Sequence, residues 1–152
     1  MTEAKKPSTT RKKAPPKDQM WEGMTVKQFD AAKETFSNAA TVLRLRDWSF
    51  KLHHFPLDDE DTIAEIDVVF GQKRASIRIC REWNDLDADT RQRVALHEML
   101  HVFMDPTLRY LERTLPTLIG EPAKTAVCDA VHEQIEQAVD AIAESFVQVL
   151  KG

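Results

Sequence analysis

The chain has 152 residues, 42% of them hydrophobic and 30% charged, which is room for one domain around one core and too little for two. No apolar run approaches the roughly eighteen residues of a membrane span, so nothing here is expected to cross a bilayer. The formal charge of −4 is unevenly spread: of 21 basic and 25 acidic side chains, residues 1–20 hold six and two, leaving residues 21–152 with 15 and 23, a net of −8.

An acidic body argues against a nucleic-acid-binding domain, whose affinity comes from a basic face neutralising phosphate. Residues 1–20 carry Lys5, Lys6, Arg11, Lys12, Lys13 and Lys17 with three prolines and no apolar cluster. They read as a disordered basic arm, able at most to touch nucleic acid or another acidic partner weakly. No apolar segment follows the basic residues, so the arm is not a secretory signal. Cys80 and Cys128 stand apart, outside any CxxC spacing, and read as free thiols in a reducing, cytoplasmic compartment.

From Thr25, an N-cap candidate, Val26, Phe29, Ala32, Phe36 and Leu43 recur at helical spacing and predict a first helix over 25–45. "WSFKLHHF" then alternates Trp48, Phe50, Leu52 and His54 against polar neighbours, the period of a half-buried strand, which would place His53 and His54 in a sheet. Past the acidic turn 57–61, "TIAEIDVVF" predicts a second strand. "GQKR" turns it, with Gly71 as the permissive residue, into a third, "ASIRIC". The expected arrangement is a three-stranded antiparallel meander.

Asp87 and Asp89 prepare a helix N-terminus, and residues 88–104 then run helical to a stop at Asp105-Pro106. Val94, Leu96, Met99, Leu100, Val102, Phe103 and Met104 lie almost all round this helix, so it should be buried. "TLRYLERTL" predicts a short helix, "PTLIGEPAKT" a loop, and 126–150 a long final helix with Val131, Ile135, Val139, Ile142, Phe146 and Val149 on one face. The fold class expected is α+β. Trp21, Trp48 and Trp83 are most simply packing residues.

The residues that carry chemistry are His97-Glu98-Met99-Leu100-His101. Positions i and i+4 share a helix face one turn apart, so both imidazoles can be directed at one metal ion. Zinc accepts imidazole nitrogen readily, and a catalytic zinc takes three protein ligands and leaves a fourth position for water. Glu98, about 100° round the helix, lies beside the ligands and can act as general base towards a metal-activated water. Three polar side chains inside an apolar helix are costly unless something pairs with them, and a metal does so.

"HEMLH", on a helix that follows the strand "ASIRIC", resembles the active-site core of the zincin metallopeptidases. The order of elements over residues 25–150 is similar to that of the minimal zincin-like peptidases of phage and bacterial genomes. The resemblance implies His97 and His101 as ligands, Glu98 as general base, a peptide or protein substrate, and a substrate-holding strand edge at residues 75–79. Met104 and Thr107 stand where a metzincin has its glycine and third histidine, which excludes that class. Asp105 is a further i+4 step, but three ligands on successive turns of one straight helix do not converge.

The third ligand is then expected on the last helix. Glu133, opposite the apolar stripe, is preferred, and Glu136 is the alternative, since Glu136 with Asp140 reproduces the gluzincin pattern of a ligand followed by a supporting acid. Tyr110 and His132 are candidates to stabilise a developing oxyanion. Segment 105–127 is the only material for a lid, which favours a narrow substrate range. The reading is a zinc-dependent metallopeptidase; the alternative is a zinc-stabilised interaction module with little or no catalysis. Retention of Glu98 weighs against the alternative, because a structural zinc site has no use for a base.

Overall fold

The computed structural model describes residues 19–21, 24–57 and 61–151. Residues 1–18, which make up most of the predicted arm, and residues 58–60 of the acidic turn lie outside the described residues. The chain is α+β, in the order β1 (Gln19–Trp21), β2 (Met24–Thr25), α1 (Val26–Val42), β3 (Ser49–Leu52), β4 (Ala64–Val69), β5 (Arg74–Ile79), α2 (Ala88–Ile119) and α3 (Glu121–Lys151).

Strands β1 and β2 pair antiparallel, so regular structure begins inside the segment assigned to the arm. At the start of α1, Thr25 Oγ1 accepts from Gln28 N at 3.3 Å while Thr25 N donates to Gln28 Oε1 at 2.9 Å. This reciprocal pairing satisfies two helix-end donors at once. The helix buries Phe29, Ala32, Phe36, Ala39 and Ala40 and stops three residues before the expected end, where Arg44 adopts a φ of 57°.

The three-stranded sheet is mixed, not the expected antiparallel meander. Its order is β3-β5-β4, with β3 parallel and β4 antiparallel to β5. The segment after β3 is long enough to pass the third strand: His53 N still donates to Ile77 O, and Leu57 N reaches Ile79 O, both at 2.9 Å. β5 is therefore the central strand, and its alternating Ala75, Ile77 and Ile79 are 4%, 1% and 0% exposed. The turn into β5 also differs from expectation. It is a 3-10 turn over Phe70–Gln72, and the positive φ, 47°, falls on Lys73 rather than Gly71, with Lys73 Nζ paired to Asp47.

β3 ends at Leu52, so His53 and His54 lie beyond it. The His53 ring packs tilted against Phe55, and the His54 ring stacks on Phe29, with centroids 4.8 and 4.9 Å away. Trp83 is buried against Phe36, and Trp48 lies half-buried beside Phe50; the side chain of Trp21 is outside the described set.

Helix α2 starts where Asp87 Oδ1 accepts from Thr90 N at 2.8 Å. It buries Val94, Ala95, Leu96, Met99, Leu100 and Val102 in the core shared with α1 and the sheet. The expected stop at Asp105-Pro106 does not occur: α2 runs on through Pro106 and Pro116 to Ile119. The predicted loop shrinks to Gly120, whose φ of 77° reverses the chain into α3. A helix-interior proline costs about 3 kcal/mol in isolation. Here α2 is supported along α3, and Arg109 clamps the turn after Pro106, donating from Nε to Asp105 Oδ2 and from Nη2 to Val68 O, each at 2.8 Å. The segment expected to form a lid is thus the far half of a helical hairpin. Pro122 sits in the first turn of α3, where a missing N–H is tolerated.

Candidate functional site

Helix α2 crosses behind β4 with its His97 and His101 face turned towards α3. His97 Nε2 and His101 Nε2 are 3.0 Å apart, within the reach that the i, i+4 spacing allows. Glu136 of α3 completes the group: its Oε2 is 3.2 Å from His97 Nε2 and its Oε1 is 3.5 Å from His101 Nε2. His97, His101 and Glu136 form a group able to hold a metal ion, with all three donor atoms within 4.8 Å of one another.

Two observations test whether a cation fits. Donors bonded to one ion at about 2.0–2.2 Å in tetrahedral array stand roughly 3.3–3.6 Å apart; the two imidazole nitrogens are 3.0 Å apart, and the two Glu136 oxygens lie one at 3.2 Å from His97 and the other at 3.5 Å from His101, close to that size. The donor chemistry agrees. His97 Nδ1 lies 2.9 Å from Asp140 Oδ1; a carboxylate placed there accepts from an Nδ1–H and favours the tautomer that offers the Nε2 lone pair to a metal. Burial, the largest influence, holds the His101 imidazole below its ordinary pKa, with His97 and His132 acting the same way and Glu136 opposing. A neutral ring is the form that binds metal.

Glu98 is the only buried charged side chain among the described residues, 8% exposed, yet it borders the same cleft. Its carboxyl is pushed up to about 8, first by burial and then by the negative charges of Glu136 and Glu65, against a hydrogen bond from the Ile66 main chain. A carboxyl in that range is poised to exchange protons near neutrality. A cation on the neighbouring donors would draw it back towards the ionised form.

The cleft has a volume of about 690 Å³, with β4 on one side and α2 and α3 on the other. Cys80 N donates to Ile63 O across β5, so the main-chain groups of Ile63, Glu65 and Asp67 face β5, and those of Ala64, Ile66 and Val68 face the other way. Val68 O accepting from Arg109 fits this alternation. The open edge beside the donors therefore belongs to β4. The expected edge, residues 75–79, is the central strand, paired on both sides.

The other predicted residues separate clearly. Glu133, the preferred third ligand, is exposed and bonds to Gln137 one turn on. It is three positions from Glu136, about 60° off in angle and a turn away, which suffices to turn it from the cleft. Asp140 occupies the supporting position behind His97. His132 lies on the cleft wall. Tyr110 does not: it is 66% exposed and borders a separate depression with Pro106 and Arg113, because the unbroken helix carries it to another face.

Sequence reasoning missed Arg93, which lies 3.5 Å from Asp140, the Ile66 main chain, and the Asp105–Arg109 clamp. The clamp had a signal: His97, His101, Asp105 and Arg109 are an unbroken i, i+4 series, hidden by reading Pro106 as a terminator.

Among the described residues no helix is long and apolar enough to cross a membrane. No protein-family model matches the chain, and no curated protein or solved structure matches it, so the reading of the site rests on its own geometry.

Proposed function

We propose that this protein is a zinc-dependent metallopeptidase of minimal zincin type, holding one zinc through His97, His101 and Glu136 and hydrolysing peptide bonds with Glu98 as general base. One observation carries the reading: two imidazoles and a carboxylate from separate helices converge to ion-sized separations beside a buried glutamate, at the wall of an open cleft. Two nitrogens and one oxygen are a donor set that zinc favours, and three protein ligands are the number found at catalytic rather than structural zinc. When bound, the metal supplies a Lewis acid for activating water and polarising a carbonyl.

The chain's own residues do the rest. Asp140 fixes the His97 ring through Nδ1, so that Nε2 keeps its direction. Glu98 accepts a proton from the attacking water at its carboxylate and returns it to the departing amine, with the Ile66 N–H holding the carboxylate in place. The outward main-chain groups at Ala64 and the Ile66 carbonyl, left free by the Ile66 N–H that binds Glu98, offer an extended peptide a strand edge to pair with. His132, on the cleft wall, is retained as the candidate to assist at the developing oxyanion.

The test joins metal content to turnover. Purified protein should carry one equivalent of zinc by elemental analysis and cleave a mixed peptide substrate. Glu98→Gln should keep the metal and lose about 100-fold or more in kcat, the scale of a missing general base, while His101→Ala should lose the metal itself. Protein that takes up no metal overturns the reading. Protein that holds zinc and shows no Glu98-dependent turnover is the inactive interaction module instead.

A further inference from the structure

The sheet has a second open edge. Among the described residues β3 pairs with β5 alone. Ser49 N donates to Lys73 O and His53 N to Ile77 O, so by the alternation of a parallel pair the main-chain N–H and C=O of Phe50 turn away from β5. Between this edge and α1 lies a groove of about 290 Å³, on the opposite side of the sheet from the cleft beside β4. Its floor is apolar, made by Phe36 and Ala40 of α1 with Phe50, Leu52 and Ile77 of the sheet. Phe50 is only half-buried there, so the core layer between helix and sheet stands open at its side.

Two cations, Lys33 and Arg46, stand at the rim, and among the described residues no carboxyl lines the groove. Neither cation has an acidic partner among those residues, whereas Arg93 and Arg109 in the other cleft are both paired with acids. β3 runs back along α1: Trp48 N donates to Leu45 O just past the helix, and the His54 ring stacks on Phe29 near its start. Leu45 N returns to Ala40 O, which puts Arg46 at the Thr41 end of the groove, with Lys33 two turns back along α1. The step from Lys33 to Thr41 rises about 12 Å. An extended chain covers about 13 Å in four residues, and its residues i, i+2 and i+4 share one face.

We propose that this groove docks an acidic segment of a separate protein in extended form, with one apolar side chain on the floor and carboxylates two residues to either side facing Arg46 and Lys33. A main-chain pair to Phe50 fixes the register. Burial of the apolar side chain supplies most of the affinity, because exposed ion pairs contribute little, and the two cations select the sequence. The same charges disfavour other occupants. Residues 1–20 of this chain carry six basic side chains against two acidic ones, and a second copy paired edge to edge, with both helices on one face, sets one cationic rim against the other. The docking site is independent of the metal group.

The experiment uses the full chain with Glu98→Gln, so that no peptide is consumed, and short fluorescent peptides whose central five residues are Glu, Thr, Phe, Thr and Glu. Three comparison peptides replace both Glu by Gln, both Glu by Lys, or the Phe by Ser. Anisotropy should show the acidic peptide binding about tenfold or more tightly than its Ser counterpart and about three- to tenfold more tightly than the Gln one. The second margin should shrink as ionic strength rises from about 0.05 to about 0.5 M. Lys33→Gln combined with Arg46→Gln, both at exposed positions, should erase that margin and leave Tm unchanged. Hydrogen exchange at the Phe50 amide should slow on binding, with residues 64–68 unaffected. Equal affinity for the Glu and Gln peptides, tighter binding of the Lys peptide, or protection at residues 64–68 in place of Phe50 overturns the inference. So does binding of no peptide at all. Self-association in sedimentation that the double variant abolishes assigns the groove to a second copy, and phenylacetate binding there without peptide binding assigns it to a small aromatic acid; both overturn the proposal. No outcome depends on zinc or turnover, so the peptidase reading stands or falls separately.

Discussion

The α2–α3 hairpin has two halves that obey different rules. In the half beside the sheet, Val94, Leu96, Met99, Leu100 and Val102 of α2 are buried with Val139, Ala143 and Val147 of α3. From Phe103 round to Ala138 not one residue is buried, and Tyr110 and Leu118 are 66% and 72% exposed. The group able to hold a metal ion sits at the junction. His97 and His101 extend from the sheet-backed turns of α2, and Glu136 is the last turn of α3 before its buried stripe begins. A site built there takes rigidity from the core on one side and access to the cleft on the other.

The largest test of this contrast is core truncation. Met99→Ala should destabilise the chain by about 2–5 kcal/mol, the range for a buried large-to-small change, whereas Leu118→Ala in the far half should cost less than about 0.5 kcal/mol. Chemical denaturation of the metal-free protein measures both, and similar losses would mean that the two halves share one core.

Glu98 marks the near half electrostatically. Its carboxyl is raised from 4.5 to about 8 by burial first, so its contribution to stability is complete below the unfolded value and disappears as pH rises through the folded one. Metal-free protein should therefore lose stability between about pH 4.5 and 8. Glu98→Gln, which cannot ionise, should not share that loss, and its advantage in Tm should widen with pH. Thermal melts of the two chains at a series of pH values check this, and parallel curves would refute the burial of an ionisable Glu98.

A smaller effect is expected across the junction. Asp140→Asn leaves the donors in place but weakens the partner of His97 Nδ1, and should lower zinc affinity about 10–100-fold with little change in fold. Competition titration against a chelator reads this directly, and unchanged affinity would show that Asp140 does not orient the ring.

The smallest effect is in the far half. Arg109→Ala removes the tie from Asp105 to Val68 O; its pairing is largely exposed, so the cost should be at most about 1 kcal/mol. Hydrogen exchange should quicken after Pro106 and stay unchanged over residues 94–102. Quickening through both regions would mean that the hairpin opens as one unit.

The same contrast explains what could be read in advance. Thr25 as a cap, Asp87 at the start of α2, and the alternation of Ala75, Ile77 and Ile79 were all legible, because each is a relation among neighbours in one chain segment. So was the pairing of His97 with His101, which every α-helix enforces. The continuation of α2 through Pro106 was not legible. A proline's local cost is written in the sequence, whereas the support from α3 and Arg109 that offsets it comes from residues far along the chain.

Residue order alone thus settled the α+β class, the types of α1, β3, β4, β5 and the first turns of α2, and the two-histidine face with its adjacent glutamate, since the 3.6-residue and two-residue periods are properties of a single backbone. Packing decided the rest. The path of residues 53–63 placed β5 between β3 and β4 and moved the open edge to β4. The rotation of α3 against α2 chose Glu136 over Glu133, two glutamates that differ by about 60° on one helix and that only a neighbouring surface can tell apart.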